Sequence, residues 1–237
     1  MRIAQNMRTF AQRAFAPMPN PALIIMAKEP TVGSTKTRLT PPLSPAQAAA
    51  LYEALLKDTI VLSASMKGID LTIAVTPSNA TGYFERIRPP GAHLLPVDCE
   101  HIGDCLSQVI ARLLEKGHPK VCALNSDGPS LPLKYIQRAF DLLDDHDVIF
   151  GPNEDGGYYL VGLKQLHAEI FTGIPWSTSQ VLPQTLEKAK ALGLRAALLA
   201  PWYDVDSAAD VARLQRELEG LPLDKLVHTR RYFESHA

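Results

Sequence analysis

The chain has 237 residues, 46% of them hydrophobic, and 24 Lys plus Arg against 25 Asp plus Glu give a formal net charge of −1. That length supports one domain with a sizeable core, and the charge balance excludes a general polyanion binder, which needs surplus cations to neutralise phosphates. No run approaches the roughly 18 apolar residues of a membrane helix. Cys99, Cys105 and Cys122 form no C-x-x-C pair, so they read as free thiols in a reducing compartment, with the cytoplasm as the default location.

Residues 1–20 carry Arg2, Arg8 and Arg13 with no acid and no following apolar segment, the pattern of an N-terminal extension and not of a secretory signal. The first strand is Ala22 to Ala27, an uninterrupted apolar run suited to a sheet covered on both faces. After the polar segment Lys28 to Arg38, Ser44-Pro45 supplies a cap and a first-turn proline for a long helix that buries Leu51, Leu55 and Leu62. A second strand is expected at Leu71 to Val75. Glu85 to Pro96 shows no clear pattern. Asp104 to Leu114 reads as a helix, Val121 to Leu124 as a strand, Pro132 to Leu143 as a helix, and Val148 to Phe150 and Tyr158 to Val161 as strands. A helix from about Thr178 to Ala191, a strand at Ala196 to Leu199 and a helix capped by Asp206 complete the alternation. Such alternation predicts a single three-layer α/β domain over 21–220 with a mostly parallel, mixed central sheet. Residues 221–237, with Arg230-Arg231-Tyr232-Phe233, read as a solvated tail.

In this fold class, chemistry collects at the carboxyl ends of the strands. The loop after the first strand holds Lys28, Gly33, Lys36 and Arg38. Two lysines and a planar guanidinium can neutralise separate phosphates, and glycine permits a tight turn beside them. Neither G-x-x-x-x-G-K-[ST] nor G-x-G-x-x-G is present. Asp127, just past the Val121 to Leu124 strand, reads as a ligand for Mg²⁺ or Mn²⁺ or as a turn cap. In Gly151-Pro152-Asn153-Glu154-Asp155-Gly156-Gly157-Tyr158-Tyr159, Asp155 is either a base or the cap of a glycine-rich hairpin. Asp204 and Asp206 lie two apart, so an extended segment would turn both to one metal, while Asp210 would complement a helix N-terminus. Trp176 suits an acceptor pocket or a buried anchor.

These segments together resemble a family of bacterial and archaeal GT-A glycosyltransferases, or nucleotide-diphospho-sugar transferases, some members of which are associated with arsenosugar biosynthesis. The resemblance runs from about Ala22 through Leu214. It is carried by Ala27-Lys28-Glu29-Pro30, Gly33 and Lys36-Thr37-Arg38-Leu39, by Ser126-Asp127-Gly128-Pro129-Ser130-Leu131, by Gly151-Pro152 with Asp155-Gly156-Gly157-Tyr158-Tyr159-Leu160, and by Trp176-Ser177-Thr178 and Asp204-Val205-Asp206-Ser207. It implies a GT-A-like catalytic domain in which Lys28, Gly33, Lys36 and Arg38 meet nucleotide phosphates. It also implies a metal, Mg²⁺ or Mn²⁺, on Asp127 with Asp206 as second ligand. A stretch the family often writes G-D-L-G-E-R stands here as Gly103-Asp104-Cys105-Leu106-Ser107-Gln108, without its arginine.

The leading expectation is glycosyl transfer from a nucleotide-diphospho-sugar to a small-molecule acceptor, with Asp127 and Asp155 as catalytic residues. The alternative is nucleotidyl transfer from a nucleoside triphosphate to a phosphorylated small molecule, since Lys36-Thr37-Arg38-Leu39 also resembles the first loop of guanylyltransferases. A non-catalytic nucleotide-binding or structural protein is the third reading. No nucleic-acid partner and no integral membrane association are expected.

Overall fold

The computed structural model describes residues 19–236. Most of the expected N-terminal extension therefore lies outside the described residues. The first strand, β1, spans Ala22–Lys28 and alternates its side chains between two cores. Leu23, Ile25 and Ala27 point into one and Ala22 and Ile24 into the other, as the two-residue period of a strand requires. Helix α1 (Pro45–Ala64) follows, opened by a capping box in which the Ser44 side chain accepts from the Gln47 N–H and Gln47 returns a bond to the Ser44 N–H. Leu51 and Leu55 are buried as expected, but Leu62 is only half-buried.

Strand β2 (Asp70–Thr76) leads to a short helix, α2 (Thr81–Ile87), and strand β3 (His93–Pro96). These fill the stretch without a sequence pattern. Helix α3 (Ile102–Glu115), β4 (Val121–Leu124), α4 (Leu133–Leu142), β5 (Val148–Pro152) and β6 (Tyr158–Leu163) continue the chain. Helix α5 begins at Val181 and ends at Ala191, later than expected. Pro183 then falls in the first turn, where its missing N–H has no intrahelical acceptor to lose. Strand β7 (Ala196–Leu198) and helices α6 (Ala208–Gly220) and α7 (Val227–Ser235) close the fold.

The seven strands form one sheet in the order β3-β2-β1-β4-β6-β5-β7. Only β6 runs against its neighbours β4 and β5; every other pairing is parallel. Helices α1, α2 and α4 cover one face through residues such as Leu56, Phe84 and Ile136, and α3 and α5 the other through Val109, Ile110 and Ala189. The expected three-layer α/β architecture with a mostly parallel mixed sheet is thus what the chain adopts. Each fully buried Leu or Ile contributes on the order of 1.5–3 kcal/mol.

Several expectations need correction. Ser207, not Asp206, caps α6: its side chain accepts from the Asp210 N–H while Asp210 Oδ2 accepts from the Ser207 N–H at 2.7 Å. Residues 227–235 are no solvated tail. Helix α7 packs on α1 with Tyr232 buried, and the buried Asp58 of α1 accepts from the His228 N–H at 3.1 Å and the Thr229 N–H at 2.7 Å. Asp58 thereby caps a helix distant in sequence. Cys99 and Cys105 are joined in a disulfide with Cα atoms 5.5 Å apart, leaving Cys122 as the free, buried thiol. Among the described residues, no helix is long and apolar enough to cross a membrane.

Candidate active site

Strand register brings the two charged loops together. Ile25 pairs with Leu124, so Asn125–Asp127 leave β4 beside Met26–Lys28, the last residues of β1, at the carboxyl edge of the sheet. Leu124 also pairs with Leu160 of the antiparallel β6, which puts the β5–β6 loop, and Asp155 with it, at the same edge. An isolated bridge between Asn153 and Trp202 then draws in the acidic segment before α6.

The result is a cleft with two lobes. A polar lobe of about 520 Å³ is lined by Lys28, Lys36, Arg38, Asp127, Asp155 and Asp206, among others. An apolar lobe of about 180 Å³ adjoins it, walled by Ile102, Leu106, Tyr158 and Trp176 with Asn125, Asn153 and Asp204 as polar groups. Met26, Ile102, Asn125, Asp155 and Ser177 line both lobes, so the two are continuous. Gly33 is not among the residues lining either lobe; it turns the loop at φ +83°.

Lys36 is the centre of the polar lobe. Its Nζ lies 2.6 Å from Asp127 Oδ2 and 2.6 Å from Asp206 Oδ1, with the lysine side chain only 6% exposed. Burial works against the ammonium, but the two carboxylates outweigh it and hold the group above the ordinary lysine range. Its backbone sits at φ 50° and ψ 42°, a left-handed conformation that costs a non-glycine residue about 1 kcal/mol and is common at functional sites. Arg38 Nη1 stands 3.9 Å from Asp206 Oδ2 on the open side. Two carboxylates converging on one cation mark a cation position between them, and hard oxygen donors of this kind suit Mg²⁺ or Mn²⁺. Among the described residues, no three or more His, Cys, Asp or Glu side chains are grouped to hold a metal.

Asp204 does not share the cation with Asp206. The Asp206 N–H bonds back to the Asp204 carbonyl at 3.1 Å, which bends the segment and sends the side chains apart. Asp204 instead accepts from the side-chain amides of Asn125 and Asn153. Burial, reinforced by the Asp127 charge, pushes its carboxyl well above the usual range. The Asn125–Asn153–Asp204 cluster was not legible in advance. Its only sequence signal is that both asparagines directly follow or end strands at the sheet's carboxyl edge.

Asp155 is exposed and caps its own turn, accepting the Gly157 N–H at 2.9 Å, yet it lies where the lobes meet. Gly156 has φ +92°, and a Cβ there would overlap the Ser179 backbone. Only glycine allows the hairpin and the Ser177–Gln180 loop to approach so closely. Of the tandem tyrosines, Tyr159 enters the core and donates to the Ala200 carbonyl at 3.0 Å, while Tyr158 meets Trp176 edge-on at 6.2 Å between ring centroids.

Residues 41–178 match the model of the family described as "Uncharacterized protein conserved in bacteria (DUF2064)", more than half of the chain. The chain belongs to the DUF2064 family. Among solved structures, this DUF2064 chain is similar to a protein from Desulfovibrio desulfuricans G20 assigned by inference as a nucleotide-diphospho-sugar transferase, with 26% identity and a TM-score of 0.85 over 92% of this chain and 96% of that one. It shares its fold with CMP:2-keto-3-deoxy-manno-octonic acid synthetase complexed with CTP, at 13% identity and a TM-score of 0.53 over 84% and 99% of the two chains. Rv0371c of Mycobacterium tuberculosis H37Rv, in complex with manganese, has the same fold at 14% identity and a TM-score of 0.50, over 84% and 99%. No curated protein sequence matches the chain. The fold of this chain is therefore that of nucleotide-diphospho-sugar transferase-like proteins, and its structural neighbours include a CTP-bound synthetase.

Proposed function

We propose that this protein is a metal-assisted transferase that takes a nucleotide-diphospho-sugar as donor and passes the sugar to a small-molecule acceptor. The observation that carries the reading is the make-up of one cleft, in which Lys28, Lys36 and Arg38 share a lobe with Asp127, Asp155 and Asp206. The likeness to the Desulfovibrio protein over most of both chains supports the donor class.

In this reading Lys28 and Lys36 neutralise the diphosphate, and Arg38 grips two of its oxygens through the guanidinium fork. The turn at Gly33 shapes the loop behind them. Asp127 and Asp206 would hold Mg²⁺ or Mn²⁺, which when bound offsets the charge that develops on the departing diphosphate. Manganese in the Rv0371c structure supports that choice of ion. The apolar lobe, with Trp176 and Tyr158 as walls and Asn125, Asn153 and Asp204 as polar groups, suits the sugar or the acceptor. Asp155, at the junction of the lobes, takes the acceptor's hydroxyl proton as the new glycosidic bond forms and the bond from the anomeric carbon to phosphate breaks.

A second reading, nucleotidyl transfer, draws on the density of cations between Lys28 and Arg38 and on the fold shared with a CTP-bound synthetase. There an acceptor phosphate attacks the α-phosphorus of a nucleoside triphosphate and pyrophosphate leaves. Calorimetric titration of sugar nucleotides and nucleoside triphosphates with Mn²⁺ tests the common core of both. Binding that is lost in Lys28→Ala and Asp127→Asn is expected. Failure of every nucleotide to bind would remove both readings in favour of a non-catalytic role.

A further inference from the structure

We infer that Lys36 is the resident counter-ion of the metal position and that it exchanges: it leaves Asp127 and Asp206 for the nucleotide phosphates when that pair takes up its divalent ion. The inference rests on the proposed metal role of the two carboxylates and adds a coupling between ligands. Free metal competes with the lysine for the same oxygens, so the carboxylates hold metal well only once phosphates have drawn the ammonium away.

Charge and exposure both point to exchange. The Lys36 ammonium bonds both carboxylates at 2.6 Å and is 6% exposed, whereas Asp127 is 22% and Asp206 37% exposed. The lysine is the enclosed partner, and both carboxylates keep a face open to the cleft. A single positive charge answers two carboxylates, with the exposed Arg38 at 3.9 Å from Asp206 on the open side. A divalent ion would neutralise the pair completely and leave Lys36 surplus beside it. Two cations on the same oxygens repel, so one must move.

The backbone segments that carry the two carboxylates are tied down without the lysine. The Val205 N–H donates to the Asp127 carbonyl at 3.1 Å, tying the two acidic loops, and the Asp206 N–H donates to the Asp204 carbonyl at 3.1 Å and to Asp210 Oδ2 at 3.2 Å. Lys36, by contrast, stands on an exposed loop with a left-handed backbone and a flexible four-carbon stem. It lines the same lobe as Lys28 and Arg38, so phosphates held by those side chains lie within the lobe it would move into.

The test uses Mn²⁺ alone, with binding followed by the electron-paramagnetic-resonance signal of the free ion, on the wild-type chain and on Lys36→Met. Lys36→Gln serves as a second variant, and thermal melting confirms that each is folded. Exchange predicts that both variants bind Mn²⁺ at least tenfold more tightly than wild type, and that Lys36→Met/Asp127→Asn and Lys36→Met/Asp206→Asn lose the gain. Equal Mn²⁺ affinity in wild type and both single variants would overturn the exchange. A gain that survives in both double variants would also overturn it, and would show that Asp127 and Asp206 are not the metal pair at all.

Discussion

The Tyr52 hydroxyl lies 2.8 Å from Ser126 Oγ and accepts the Lys28 N–H at 3.1 Å. One buried side chain of α1 thus joins the start of the basic loop to the residue preceding Asp127, with burial holding its phenol above the ordinary range. Tyr52→Phe should leave the packing intact but strand both partners. We expect a loss of about 1–2 kcal/mol in urea unfolding, the scale for orphaning buried polar groups, together with weaker nucleotide binding. Unchanged stability and binding would mean that the two loops are positioned independently.

Lys36→Ala should weaken productive nucleotide use far more than it lowers stability. Loss of one charge-assisted contact costs about 1.5–3 kcal/mol, or roughly ten- to over a hundredfold in affinity. Calorimetry with the preferred nucleotide and Mg²⁺ reads this directly, and unchanged affinity would remove Lys36 from the phosphate site.

Gly103→Ala probes the apolar lobe separately. A Cβ at Gly103, in the first turn of α3, would come within 2.7 Å of the Phe171 carbonyl and 2.7 Å of the Trp176 ring. The ring must shift, and the lobe it walls is reshaped. We expect the KM for acceptor or sugar to rise several-fold while nucleoside diphosphate binding in the polar lobe is kept. An equal loss of both would show that the lobes do not act separately.

Asp147 gives a pH signature away from the site. The Arg195 guanidinium and backbone N–H hold its carboxyl down to about 2, below the roughly 3.9 of an unfolded aspartate. The folded state therefore binds this proton less tightly than the unfolded state. The stabilisation is present above about pH 4 and is lost as pH falls towards 2. Denaturant titrations should show that Asp147→Asn loses less stability than wild type between those limits. Parallel acid limbs would contradict the pairing.

What the sequence could reveal followed from local patterns. Val121 to Leu124 is buried at every residue, so its apolar run was plain. His93–Pro96 is an edge strand with only Leu95 buried, and no pattern announced it. Ser207 and Asp206 are both cap-forming types, and the structure separates them: Ser207 caps the helix while Asp206 accepts from the Lys36 ammonium in the cleft. Helix α7 has no side-chain cap of its own; Asp58 supplies one from far along the chain, which no local window contains. Lys28, Asp127 and Asp155 could be placed at strand ends by position. The clamp on Asp204 could not, because an asparagine's partner depends on the register of strands that meet only in the fold.

The central claim is tested most directly by a mass-resolved product screen in which sugar nucleotides and nucleoside triphosphates, each with Mn²⁺ and mixed small-molecule acceptors, are offered to wild type and Asp127→Asn. The account predicts that wild type releases a nucleoside diphosphate from a sugar nucleotide while an acceptor gains the sugar's mass, and that Asp127→Asn does neither. An acceptor gaining a nucleoside monophosphate, with metal-dependent release of pyrophosphate, would contradict glycosyl transfer and identify the same cleft as that of a nucleotidyltransferase.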